Sequence, residues 1–102
     1  MDGRVKISDV PDKERFEARD DEGTLLGVIT YQVTGNVIAY THTKVEPEFE
    51  GHGVGGELAR AAMEDAQGRG RTVVPICPFL SSWLDEHHDY DKIVVRSHRR
   101  VK

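Results

Sequence analysis

The sequence predicts an α/β domain of the α+β type: an antiparallel meander of about four strands, then a helix, a strand and a second helix. Three observations carry this reading. Residues 5–45 read as short β-rich runs broken by turn residues, a glycine-rich turn occupies 51–56, and a stripe with the 3.6-residue period of a helix begins at Val54. With 102 residues, 37% hydrophobic and 31% charged, the chain suits one folded domain, placed at residues 1–95, and is too apolar for a disordered segment. A domain of this size has a small core and little room for a lid over a ligand.

The elements follow in order. Val5-Lys6-Ile7-Ser8 alternates, Val10-Pro11-Asp12-Lys13 interrupts, and Arg15-Phe16-Glu17-Ala18-Arg19 alternates again before the turn residues Asp20-Asp21-Glu22-Gly23. Thr24 to Val33 is apolar on both faces around Leu25, Leu26, Val28 and Ile29, as in a strand covered on both sides. Thr34-Gly35-Asn36 reverses the chain. Val37 to Val45 makes a fourth strand, with His42 sharing a face with Tyr40 and Lys44. Val54, Leu58, Ala59, Ala62, Met63 and Ala66 then form one apolar helical stripe that stops at Gly68-Arg69-Gly70. Thr72 to Cys77 reads as a short buried strand with a bulge or edge at Pro75. A second helix is expected from Ser81 to His88, capped by Ser81 or Ser82, with Trp83, Leu84 and His87 on one face; Asp91 to Val95 suggests a last strand.

Charge is unevenly distributed. The net is −4, but Arg96 to Lys102 holds four bases and no acid, so residues 1–95, with ten bases and eighteen acids, carry −8. The short basic tail, 96–102, reads as a solvated terminus. An acidic body argues against general nucleic-acid binding. Cys77 is the single cysteine, which excludes an intramolecular disulfide and fits a reducing compartment. The first six residues lack the apolar run of a signal peptide and no stretch suits a membrane span, so the expected location is cytoplasmic, with no membrane partner. The cluster Asp85-Glu86-His87-His88-Asp89-Tyr90-Asp91 lacks metal-ligand spacing and reads as a solvated helix end; no metal is expected.

Glu50-Gly51-His52-Gly53-Val54-Gly55-Gly56 joins a strand to a helix. Glycines there allow positive φ, and the backbone N–H groups at the helix start can close around an anion such as a diphosphate. A dinucleotide fold would need its glycine motif after the first strand of a parallel unit, and a phosphate-binding P-loop would need Gly-Lys-Ser/Thr; neither occurs.

The residues in this order resemble the GNAT acyltransferase superfamily, whose acyl-CoA turn, Gln/Arg-x-x-Gly-x-Gly/Ala, falls on Glu50-Gly51-His52-Gly53-Val54-Gly55. Thr41 to Val45, then Pro47, Phe49 and the three glycines, then Val74-Pro75-Ile76-Cys77-Pro78-Phe79, resemble more specifically a family of small, single-domain GNAT-like acetyltransferases. The likeness runs from Phe16 to Val94. It implies that amides from Gly51, His52, Gly53, Val54, Gly55 and Gly56 hold the pyrophosphate of acetyl-CoA, that Val45 presents its backbone to the pantetheine arm, and that the acetyl group sits where strands four and five splay apart. Glu50 stands where the superfamily has Gln or Arg, and Lys44 where the small family often has Glu.

Two residues are candidate catalysts. His42, with an ordinary pKa near ~6.5, suits a general base, or is a packed or solvated strand histidine. Cys77 faces the cleft by the resemblance and could protonate the leaving thiolate, accept the acetyl group, or fill a small apolar site. The tyrosine acid of many relatives would fall on Leu84. The expected function is acetyl transfer from acetyl-CoA to an amine, a protein lysine or a small cationic amine, by a monomer or small homo-oligomer. The alternative is a non-catalytic acyl-CoA sensor.

Overall fold

The computed structural model describes residues 5–95. Its sheet has five strands in the order β1-β2-β3-β4-β5: β1 Lys6–Val10, β2 Arg15–Arg19, β3 Leu25–Thr34, β4 Val37–Val45 and β5 Thr72–Pro75. The first four pair antiparallel, as the meander reading expects, and β5 lies parallel to β4. The basic tail, 96–102, lies outside the described residues.

Between β4 and β5 runs α1, Val54–Gly68, and after β5 comes α2, Pro78–Glu86. All six residues of the expected stripe, Val54, Leu58, Ala59, Ala62, Met63 and Ala66, are buried against the sheet. The helix stops at the glycine the sequence marks. Gly70 takes φ +70°, its N–H donates to the Gln67 carbonyl and the Arg71 N–H donates to the Ala66 carbonyl, which closes the end in a Schellman motif. Across the core, the Tyr40 hydroxyl donates to the Ala62 carbonyl at 2.9 Å, pinning α1 to the middle of β4.

The second helix begins earlier than expected. Pro78 occupies its first turn and Cys77 its N-cap, so neither Ser81 nor Ser82 caps it. Proline is suited to that place because its missing N–H would be unpaired there anyway. The expected last strand is also revised: residues 88–93 form a 3-10 helix, and only Val94 bridges to Val73. Trp83 and His87 do share a face, their rings stacked 3.9 Å apart with 9° between planes.

Both helices pack on one face of the sheet, where Leu80 and Leu84 of α2 join the core made by α1, Ile29, Ile38 and Val73. The covering of β3 on both sides is therefore not by helices. Its apolar run is buried partly because a bulge at Leu26, where Arg19 pairs with Leu25 and Ala18 with Gly27, turns Leu26 to the core side. Val28 lies on the opposite side between Glu17 and Lys44 of the neighbouring strands. Among the described residues no helix covers that second face.

Candidate acetyl-CoA site

A second bulge decides what β4 presents. Thr30 pairs with His42 and Tyr31 with Tyr40, which leaves Thr41 as an extra residue. The alternation of side chains therefore slips by one at this point. Ile38 and Tyr40 face the helices before the bulge; after it Thr43 and Val45, paired with Ile29 and Gly27, take that side. His42 and Lys44 are turned to the open face and are exposed. The expectation that His42 shares a face with Tyr40 is thus corrected, and the reason is the inserted residue.

Beyond the bulge β4 loses its parallel neighbour. Pairing of β4 with β5 ends at Tyr40 and Pro75, and the N–H groups of Ile76 and Cys77 both converge on the Tyr40 carbonyl, at 3.0 and 2.9 Å. The two chains part from that point. Into the opening faces a cavity of about 370 Å³, lined by Thr43 and Val45 of β4, Phe49 and Glu50 after it, Gly51, Gly53, Val54, Gly55 and Gly56 at the start of α1, and Phe79 of α2.

The start of α1 is built to offer donors. Gly53 precedes the helix with φ +83°, a left-handed conformation that side-chain-bearing residues rarely adopt. No side chain caps the helix, and its first internal bond runs from the Glu57 N–H to the Gly53 carbonyl at 3.0 Å. The N–H groups of Val54, Gly55 and Gly56 consequently have no hydrogen-bond partner among the described residues, at the positive end of a 15-residue helix dipole. Gly55 serves a different need: a Cβ there would stand 2.8 Å from Cζ of Phe79, so only glycine lets that ring lie against the helix.

Thus the structure brings Val45, Gly51, Gly53, Val54, Gly55 and Gly56 together around one cavity and leaves His52 outside it. The His52 ring packs edge-on against Phe49, with centroids 6.3 Å apart. Cys77 is 2% exposed and does not line the cavity, but its Sγ lies 3.0 Å from the hydroxyl of Thr43, which does. His42 is on the other side of the sheet. Sequence reasoning missed Thr43, Phe49 and Phe79 as lining residues, whereas Glu50 stands where the turn motif put it. Thr43 was within reach, since period two from Val45 leads to it, whereas Phe79 meets Gly55 only through tertiary packing. Glu50 is the one carboxylate in the lining, and it brings negative charge toward the donors.

A parallel pair of strands that parts beside an uncapped, glycine-lined helix start agrees with the acyltransferase fold that the sequence resembles. A model of the GCN5-related N-acetyl-transferase family matches residues 15–93, and the chain belongs to that family. No curated protein matches it. Among solved structures it is similar to a "GCN5-like putative N-acetyltransferase" from Staphylococcus aureus, with 29% identity, TM-score 0.70, and coverage of 93% of this chain and 92% of that one. A ribosomal-protein-alanine N-acetyltransferase from Brucella melitensis biovar Abortus 2308 shares the fold at 22% identity and TM-score 0.57, over 86% of this chain and 65% of its own. An acetyltransferase from Trypanosoma brucei does so at 19% identity and TM-score 0.52, over 90% and 69%. Among the described residues no helix is long and apolar enough to cross a membrane, and no group of three or more metal-ligating side chains is assembled.

Proposed function

We propose that the chain binds acetyl-CoA in the cavity between β4, α1 and α2 and transfers its acetyl group to an amine. The observation that carries this reading is the set of unpartnered N–H groups of Val54, Gly55 and Gly56 opening onto that cavity. As donors at the positive end of a helix they suit the negative charge of a diphosphate, and Val45 and Phe79 offer apolar walls to a pantetheine arm. The glycines keep side chains out of the path. Glu50 is the discordant member of the set, and it is exposed to water, which screens it.

Acetyl-CoA supplies an activated thioester. The chain must stabilise charge on the acetyl oxygen and hold a proton where a thiolate leaves. Thr43 can hold that proton at its Oγ1 on the cavity wall, and the Cys77 thiol behind it, 3.0 Å away, can replenish it. The geometry favours this role over direct acetylation of Cys77, whose sulfur lies behind the lining. His42, exposed on the open face across the sheet from the cavity, stands away from these groups and fits the solvated strand histidine of its two readings.

The acceptor is an amine, with a protein lysine and a small cationic amine the two classes to separate. The acidic helical side of the molecule favours a cation at encounter. Calorimetric titration with acetyl-CoA and with CoA tests the site: saturable heat is expected, and none at millimolar ligand sinks the reading. Release of free CoA with lysine peptides or polyamines then shows turnover, while binding without turnover by either acceptor class assigns a sensor instead.

A further inference from the structure

The uncovered face of the sheet is charged oppositely to the rest of the molecule. Period two and the strand pairing place Lys6, Arg15, Glu17, Arg19 and Lys44 on this face, in register across β1, β2 and β4, with His42 beside them. Of the nine Lys and Arg in residues 5–95 it holds four, and of the seventeen Asp and Glu only one, for a net of +3 against −11 in the remainder of that span. That one acid is neutralised in place. Glu17 is buried between Arg15, whose Nη2 lies 2.7 Å from one carboxylate oxygen, and Arg19, whose Nη2 lies 3.0 Å from the other. At the corner Lys6 reaches Asp21 of the β2–β3 turn across 3.9 Å, an exposed pair worth little. Lys44 makes no hydrogen bond or ion pair with a described residue.

We propose that this face docks an acidic segment of a protein partner. The cations span β1 to β4, about 15 Å at the usual strand spacing, which suits a few residues of extended chain better than a single small anion. The floor between them is formed by Val28, set between Glu17 and Lys44, and Thr30, set between Arg15 and His42. Two features disfavour nucleic acid as the occupant. The strands place no Phe, Tyr or Trp on this face for bases to stack on, and a long polyanion would meet the net −7 that the rest of the sequence carries, −4 overall less the +3 of this face. A short acidic segment escapes that repulsion by staying within the patch. The inference is independent of the acetyl-CoA reading, which concerns the opposite side of the sheet.

The test is a titration of the full-length, isotope-labelled protein with an octaglutamate peptide, followed by amide shifts in solution NMR. Saturable shifts are expected on β1, β2 and β4, with affinity falling about 10-fold as salt rises from about 0.05 to about 0.2 M. The double reversal Lys6→Glu/Lys44→Glu, at two exposed side chains, should lower affinity at least about 10-fold with an unchanged far-UV spectrum. Shifts confined to the helices or to residues 96–102, or an affinity indifferent to the double reversal, would overturn the proposal. So would tighter binding of a single-stranded oligonucleotide of equal charge, which would assign the face to nucleic acid.

Discussion

The hydroxyl of Thr43 and the thiol of Cys77 stand 3.0 Å apart where β4 and β5 begin to part, one on the cavity wall and the other buried behind it. A strand and a helix N-cap, 34 residues apart in the chain, supply a single pair of exchangeable protons. Thr43→Val keeps the shape of the wall and removes the hydroxyl. It should lower kcat about 10- to 100-fold and leave the KM for acetyl-CoA nearly unchanged. Steady-state release of CoA measures both, and an unaltered kcat would remove Thr43 from the reaction.

The contact of Gly55 with Phe79 makes a paired prediction. Gly55→Ala puts a methyl group 2.8 Å from the ring tip in the present arrangement, so the half-exposed ring must leave its place on the cavity wall. Acetyl-CoA affinity should fall about 10-fold, the cost of a forced packing change of about 1.4 kcal/mol. Adding Phe79→Ala should restore part of that loss, giving a coupling between the two sites that calorimetry resolves. Additive losses would show that the ring does not transmit the effect.

Glu50 predicts a gain of affinity. Replacing its carboxylate with an amide, Glu50→Gln, removes a negative charge from the lining next to donors suited to a diphosphate. For an exposed charge the gain is modest, about 2- to 5-fold in Kd, and greater at low salt than at high salt. A weaker complex in this variant would mean that Glu50 supports the bound cofactor.

Acid should weaken the fold through Glu17. The hydrogen bond from Arg15 holds its carboxyl below the ordinary value of 4.5; burial opposes this, and Arg19 adds to the lowering. Because the folded pKa is the lower one, the contribution is fully present above pH 4.5 and is lost as pH falls through the depressed folded value. Glu17→Gln should therefore lower Tm by several degrees at pH 7, roughly 1 kcal/mol in a domain of this size, and flatten the fall of Tm at lower pH. Parallel pH profiles for the two proteins would exclude Glu17 as the responsible group.

How much of this was legible in the sequence depends on the range of the interaction that decides each feature. The α1 stripe was legible because six apolar residues repeat at helical spacing and a glycine follows them, both local signals. The start of α2 was legible too, but only if Pro78 is weighed above the serines. The bulge at Thr41 leaves no mark in the sequence: β-branched residues continue through it, and only pairing with Thr30 and Tyr31 shows that one residue is extra. That single event misplaced His42. The glycine turn pointed to the cavity, while Phe79 and the Thr43–Cys77 pair came from packing between distant segments. The strand expected at Asp91–Val95 has suitable residues, but the chain coils through Ile93 and leaves only Val94 to bridge.

Because β4 gains a residue at Thr41, its two surfaces are numbered in opposite phase on either side of that point. Substituting Thr41 leaves the phase untouched, so Thr43 and Val45 stay with the cavity and His42 and Lys44 with the open face. Deleting it would set Tyr40 directly beside His42 in plain alternation, so Thr43 and Val45 would keep the cavity side, His42 and Lys44 the open face, and only the bulge would go. For this strand the bulge works as a splice: it takes up one residue of chain and hands the same two faces on, so insertion or loss at Thr41 changes the count of residues and not the side that each later residue serves.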